Sequence, residues 1–191
     1  VDVSASRPRL SVADTCCRLP PISVTAILSF SFNRFPRLVR DLSSKLGKEV
    51  ELRIIGEQTE LDKTVLEKIG DPLVHLVRNS LDHGIETPDT RMTAGKPAYG
   101  TLTLAARHEG GNIVIEIVDD GAGINTDILL AKARKRGIVG VEETMTEEAI
   151  RDLIFHPGFS TAKEVSDASG RGVGMDVVRR NIKELGGVIE L

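Results

Sequence analysis

Tryptophan is absent from the 191-residue chain, and aromatic residues make up only 3% of it. Its core must therefore be aliphatic. Cysteine is confined to Cys16 and Cys17. Adjacent cysteines make a poor disulfide and match no zinc-ligand spacing. A reducing, cytoplasmic setting is expected. The formal net charge is only −3, so nothing draws the chain to nucleic acid or to a membrane surface by bulk attraction. No apolar run is long enough to span a bilayer. The run Ile22 to Phe32 follows Arg7, Arg9 and Arg18 and has the length of a signal-peptide apolar region. It lacks a small-x-small cleavage pattern and leads into a basic helical pattern, so neither export nor membrane insertion is expected. Internal repeats and low-complexity tracts are also absent.

What remains is ordinary for a globular domain: 40% hydrophobic and 28% charged residues. The first residue is Val, which suggests a fragment. Residues 1–29 show no sustained period and are expected to be disordered. From Phe32 the spacing of Phe35, Leu38, Val39, Leu42 and Leu46 predicts a helix ended by Gly47. Val50, Leu52 and Ile54 alternate with Glu51 and Arg53, a half-buried strand. Thr59 or Asp62 is expected to cap the next helix. Pro72 is expected to kink or restart it at Asp71.

The stretch His75 to Glu86 carries the most information. At about 100° per residue, Leu73, Val74, Leu76, Val77 and Leu81 share one face. His75, Arg78, Asn79, Asp82 and His83 share the other. His75, Asn79 and His83 are spaced i, i+4, i+8 and stack on a regular helix. A solvated face more often carries Lys and Glu; this one carries groups that ligate, accept protons or hydrogen-bond.

Residues 87–99 contain Pro88, Gly95 and Pro97 and read as a loop with one helical turn. A hairpin follows, 101–107 with 113–118, joined through Gly110-Gly111. Its second strand ends in Asp119-Asp-Gly121-Ala-Gly123-Ile124. Acid at a strand's carboxyl end beside paired glycines suits a ligand that approaches the backbone. Ile128, Leu129, Ala131, Ala133 and Ile138 line a further helix. Thr144-Met-Thr-Glu147 reads as a capping box for the next. Gly170-Arg-Gly172-Val-Gly174-Met175 opens a helix that runs to Leu185, and Gly186-Gly187 stops it before a strand from Val188.

A Gly-x-Gly-x-Gly run at a helix start offers unpaired N–H groups and a positive dipole end to phosphate. No Lys-Ser/Thr follows, so it is not a Walker loop, and no strand precedes it. Asp119 can accept from an exocyclic amine such as that of adenine. The amide oxygen of Asn79 suits Mg2+. His75, one turn away, suits a base.

These residues resemble the chemotaxis histidine kinases of the CheA type and, more broadly, the GHKL superfamily of gyrase, Hsp90 and MutL. His75-Leu-Val-Arg-Asn79-Ser-Leu-Asp-His83-Gly is similar to the N box, and Asp119-Asp-Gly121-Ala-Gly123 to the G1 box. Phe155-His-Pro-Gly-Phe159-Ser160-Thr161 is similar to the F box, and Gly170-Arg-Gly172-Val-Gly174-Met175 to the G2 box. The helix from Phe32 resembles the one that leads into the kinase domain in that family.

The resemblance implies an α+β fold, a two-layer α/β sandwich of the Bergerat type with a mixed sheet. It assigns 30–47 to the end of the dimerisation segment and 48–191 to an ATP-binding domain whose last strands are cut off. ATP and Mg2+ are the implied cofactors. His75 is the implied catalytic residue and Asn79 the implied metal ligand. Asp119 would meet the adenine amine, with Gly121, Gly123 and Ile124 beside the ring. Asp82 and His83 join the nucleotide site from the N box. Ser160, Thr161, Gly170, Gly172, Val173, Gly174 and Met175 would lie near the phosphates, and 156–173 would form a lid. The implied acceptor is a histidine on a phosphotransfer domain outside this sequence. Chemoreceptor and coupling protein are the family's further partners, through segments not expected here. The family is dimeric, but residues 1–29 do not resemble its first dimerisation helix, which leaves a dimer of this chain open. Two alternatives stand: an ATPase of the gyrase, MutL or Hsp90 kind, and a non-catalytic nucleotide-binding fragment. His75, where the gyrase-like ATPases carry Glu, argues against the first.

Overall fold

A computed structural model of the chain describes residues 15–19, 34–56, 63–157, 159 and 174–191. Helix α1, Arg34–Leu46, takes the expected place. Phe35 and Val39 are buried, and Leu38, Leu42 and Leu46 pack on the same core. Strand β2, Val50–Ile55, turns Val50, Leu52 and Ile54 inward. It lies at one edge of the sheet. Its outward Glu51 and Arg53 pair with each other, and charges on an edge strand discourage further pairing.

Helix α2, Lys63–Asn79, runs through Pro72 without a break. The expected restart at Asp71 does not occur: the Pro72 ring is buried, and its packing offsets the missing backbone donor. The Thr59 and Asp62 caps lie outside the described residues. A second departure begins at Ser80. The backbone widens into a π-turn, Ser80–Gly84, closed by Ile85 N–H donating to the Ser80 carbonyl at 2.7 Å. Two contacts explain the widening. The Ser80 hydroxyl donates back to the Leu76 carbonyl at 3.3 Å, a bond that loosens helices. Lys48 Nζ donates to the carbonyls of Leu81 and Asp82, two groups left open at a helix end. The stack therefore holds from His75 to Asn79, while His83 swings out on the wider turn and is exposed.

Helix α3, Pro88–Thr93, is the turn expected in the following loop. Strands β3, Gly100–Glu109, and β4, Asn112–Asp119, form the hairpin. Gly110 and Gly111 sit at φ +57 and +81, the two positive angles a type I′ turn requires. Helix α4 is Thr126–Lys135 and α5 is Glu147–Asp152, followed by a 3-10 turn, Leu153–Phe155. The Thr144 capping box does not form. The helix starts later, and Thr146 caps it by accepting from Ala149 N–H at 3.2 Å. On α4, Ile128 and Ala131 face solvent, because the helix turns Ala133, Leu129 and Leu130 toward a small second cluster with Val139, Ile150, Leu153 and Phe159. Helix α6, Met175–Glu184, and strand β5, Val188–Glu190, complete the described elements.

With strand β1, Thr15–Leu19, the described strands form one sheet in the order β2-β3-β4-β1-β5. β2 and β3 are parallel and the other pairs antiparallel, so the sheet is mixed. Strand β1 sets Cys17 opposite Ile115 on one side and Ile189 on the other. The expectation of disorder does not hold for the five residues of this strand; the rest of 1–29 lies outside the described residues. Five residues are too few to show a period, and the strand is held by backbone ladders on both sides. Helices α1, α2 and α6 cover one sheet face around Ile69, Leu73, Val77, Leu81, Leu102, Leu104, Ile115, Ile117, Val178 and Ile182. The result is a two-layer α+β sandwich. Among the described residues, no helix is long and apolar enough to cross a membrane.

Candidate functional site

Two contacts flank the end of α2: one to the start of α6 and one, through the π-turn, to the turn after β4. The first contact is direct: Asn79 Nδ2 donates to Met175 Sδ at 3.2 Å. It joins the last residue of α2 to the first of α6. Gly174 caps α6 in an extended conformation with no side-chain hydrogen bond to the helix end. The first N–H groups of α6 are thus not met by a capping side chain, and the positive dipole end lies beside Asn79.

The second contact is a close approach between the π-turn and the end of β4. Asp119 is 3% exposed, and its Oδ1 accepts from Gly121 N–H at 3.0 Å. A buried carboxylate is costly unless it is hydrogen-bonded. Gly84 lies against this group: a Cβ there would stand 2.7 Å from Asp119 Oδ2. A Cβ at Gly121 would run into the Gly84 carbonyl. Ala122 N–H donates to that same carbonyl at 2.9 Å. Glycine is required at both positions for want of space. Gly123, at φ +77, is required for its backbone angle.

His75 lies one turn before Asn79. Its Nε2 is buried and has no hydrogen-bond partner among the described residues. Burial lowers its pKa below the ordinary value and the Arg78 charge lowers it further, against the opposing pull of Asp176 and Asp82. The imidazole is therefore neutral at pH 7 and able to take a proton. Asp176 belongs to the first turn of α6, so the two walls of the site also sense each other electrostatically.

Behind the Asp119 turn lies an ionic cluster. Arg91 is 1% exposed. Its Nη1 donates to Glu86 Oε2 at 3.1 Å and its Nη2 to Asp120 Oδ2 at 2.9 Å. Lys96 Nζ pairs with Glu86 Oε1 at 2.6 Å. Burial pushes the Glu86 pKa up, but the hydrogen bond from Lys96, a backbone bond and the charges of Lys96 and Arg91 together hold it below the ordinary value.

The structure thus pairs Asn79 with Met175, and it sets Asp119 and Gly121 against Gly84 of the π-turn that continues α2. Gly123 and the half-buried Ile124 follow Gly121 on the same turn. Asp82 is half-buried beside Lys48, and the exposed His83 is carried away from the His75–Asn79 row. Ser160, Thr161, Gly170, Gly172 and Val173 lie outside the described residues, as does most of the expected lid. Phe159, from the F box, is buried in the second cluster. Lys132 stands over its ring at 5.2 Å, and Arg136 donates to its carbonyl at 2.7 Å. Burial and the Arg136 charge lower the Lys132 pKa.

Sequence reasoning missed Gly84 as more than a helix stop, and it missed Lys48, Glu86, Arg91 and Lys96 altogether. Glu86, Arg91 and Lys96 are spaced at five-residue steps that match no helix or strand face. Lys48 lies in a turn distant in sequence from its acceptors.

Residues 68–191 match the family described as histidine kinase-, DNA gyrase B-, and HSP90-like ATPase. The chain is 60% identical over 164 residues to the chemotaxis protein CheA of Salmonella typhimurium, a match covering 86% of this chain and 24% of that protein. It is 54% identical over 162 residues to CheA of Bacillus subtilis, covering 84% of this chain and 24% of that protein. It is 49% identical over 191 residues to the sensor histidine kinase CheAY of Helicobacter pylori, covering 99% of this chain and 23% of that protein. The chain therefore spans about a quarter of the length of the curated relatives it matches.

Proposed function

Because the chain belongs to the histidine kinase-, DNA gyrase B- and HSP90-like ATPases, we propose that it is the ATP-binding catalytic part of a chemotaxis histidine kinase. It transfers the γ-phosphate of Mg-ATP to a histidine on a separate phosphotransfer domain, in the cytoplasm. The observation that carries this reading is the junction of Asn79 with Met175 beside a half-buried, neutral His75 whose Nε2 is sequestered. A metal ligand, a helix start and a base converge there.

The roles follow from position. The Asp119 carboxylate, oriented by Gly121 N–H, accepts from the amine of the base. Gly84 and Gly121, which leave no room for side chains, let the π-turn close on the Asp119 turn and keep the carboxylate in place. The uncapped start of α6 receives phosphate oxygens. The Asn79 amide, steadied through its Nδ2 on Met175, presents an oxygen of the kind Mg2+ prefers. The orphaned Nε2 of His75 nearby fits a site that a ligand completes. Bound Mg2+ would neutralise phosphate charge. His75 takes the proton of the acceptor imidazole or holds that ring for attack. Ser160, Thr161, Gly170, Gly172 and Val173 are assigned to phosphate binding by their motifs. Asp82 and His83 are assigned to the rim.

The test is incubation of the chain with γ-labelled Mg-ATP, with and without a CheA phosphotransfer domain. Acid-labile label on the added domain is expected. Free phosphate released equally without the domain would instead make the chain an ATPase. Bound nucleotide with neither product would make it a binding module.

A further inference from the structure

We propose that Arg91 and Lys96 are positioning residues: together with Glu86 they form a clamp that fixes the Asp119–Gly121 turn against the π-turn and so sets the affinity for the base. The inference rests on the nucleotide reading of that turn. Gly121 has no side chain by which to be held, and its N–H is spent on Asp119. Its carbonyl accepts from Lys96 Nζ at 2.8 Å, and the preceding carbonyl of Asp120 accepts from the same ammonium at 3.1 Å. Arg91 Nη1 also reaches the Asp120 carbonyl at 3.3 Å, and its Nε donates to the Pro97 carbonyl at 2.9 Å. Asp120 is fastened on its far side, where its Oδ1 accepts from Thr101 N–H at 2.9 Å.

Both cations share Glu86, which follows directly on Ile85, the residue that closes the π-turn. The cluster therefore ties the helix end that carries Asn79 to the strand end that carries Asp119. Two cations face two carboxylates, so the charge is balanced at the site, and Arg91 is desolvated with its guanidinium bonded on several sides. Such a cluster holds geometry more than it adds net stability. In this arrangement the cations donate to backbone behind the turn, while the Asp119 carboxylate does the recognising. Loss of the clamp should loosen the base end of the site and leave the phosphate end as it is.

The distinguishing variant is Lys96→Met in the full chain, with Lys96→Arg as the conservative control and Glu86→Gln as a milder second variant. Calorimetric titration with adenosine, ADP and Mg-ATP is paired with amide hydrogen exchange at Gly121 and Ala122. Lys96→Met should weaken all three ligands by one common factor of about tenfold. Exchange at both amides should quicken about tenfold. Lys96→Arg should restore both to within about threefold. A folded Lys96→Met protein with unchanged exchange, or one that loses Mg-ATP while keeping adenosine, overturns the proposal. If Lys96→Met does not fold, Glu86→Gln decides by the same criteria. If the parent chain binds no nucleotide, the nucleotide reading fails, and the exchange measurement alone still decides whether the clamp fixes the turn.

Discussion

Substituting Gly121→Ala should disable the site through a collision that can be followed atom by atom. The new Cβ meets the carbonyl carbon and oxygen of Gly84 and stands 2.8 Å from Asp119 Oδ1. Backbone, unlike the tip of a long side chain, cannot swing aside. The turn must move away from the π-turn, which breaks the Ala122 to Gly84 bond of 2.9 Å. It also pulls Gly121 N–H from the carboxylate it serves. The first bond is worth about 1 kcal/mol and the second, to a charged group, about 2. Overpacking adds about 1–3 kcal/mol unless the turn relaxes fully. Even the lower sum, about 3 kcal/mol, lowers the Tm of a chain this size by roughly 6–12 °C. The Kd for Mg-ATP should rise at least about a hundredfold, because the carboxylate loses its orientation. Gly111→Ala, in the distant hairpin turn, is the internal control: with no atom near the added Cβ it carries only the strain of φ +81, about 1 kcal/mol, or roughly 2–4 °C in Tm. Thermal melts and calorimetric titration of both variants decide the matter. A Gly121→Ala protein whose Tm stays within about 2 °C of the parent and whose Mg-ATP affinity is unchanged would refute the close approach and the role built on it.

His75→Gln should cut phosphotransfer by about a hundredfold with Mg-ATP binding intact; an unchanged rate in a rapid-quench assay would remove His75 from the chemistry. Its pKa is lowered from the ordinary 6.5, so the neutral ring persists below that value. Activity should hold as pH falls through 6.5 and decline only at the depressed folded pKa, giving an acid limb in the rate profile that His75→Gln lacks. Glu86 also has a lowered pKa, from an ordinary 4.5. Its contribution to stability should be full above the unfolded value and lost as pH falls through the lower folded one, and denaturant melts between about pH 6 and pH 3 should show Glu86→Gln without that part of the acid loss. Asn79→Ala should abolish the gain in ATP affinity that Mg2+ confers, while adenosine, titrated in the same cell, binds as before; equal loss for both would place Asn79 away from the metal.

Much of the site was legible because its residues act within their own segments. Asp119 stands at the end of an alternating strand, and that position alone marks it. His75 and Asn79 share a helix face set by the apolar pattern of Leu73, Leu76 and Val77. The glycines at 121 and 123 mark a turn that few other residues tolerate. Residues whose roles depend on a distant partner were not legible. Nothing local to Ser80 announces a π-turn, since Lys48, which takes the carbonyls of Leu81 and Asp82, belongs to the α1–β2 connection. Arg91 and Lys96 read as loop cations because their acceptors, Glu86 and the Asp120–Gly121 backbone, come together only when the hairpin folds against α2. Strand β1 gave no signal because a short strand between two ladders owes its place to main-chain groups. Thr144 and Thr146 both fit a helix cap, and only the observed start at Glu147 separates them.

The division of the apolar residues into two clusters bears on how the domain opens. Phe155 belongs to the main core and Phe159 to the smaller one, so a short link carries the chain from one to the other. Among the described residues the smaller cluster includes no sheet residue; it is α4, α5 and the segment after them packed on Ala133, Val139 and Ile150, with Ile154 shared between the two clusters. Local opening of this cluster does not require the strands to separate. Amides at Val139 and Ile150 should exchange through this partial opening, well before those at Ile115 and Ile117, which wait for global unfolding. Lys132 and Arg136, seated on Phe159, fasten the segment after α5 to α4, so their loss should quicken exchange in this cluster first.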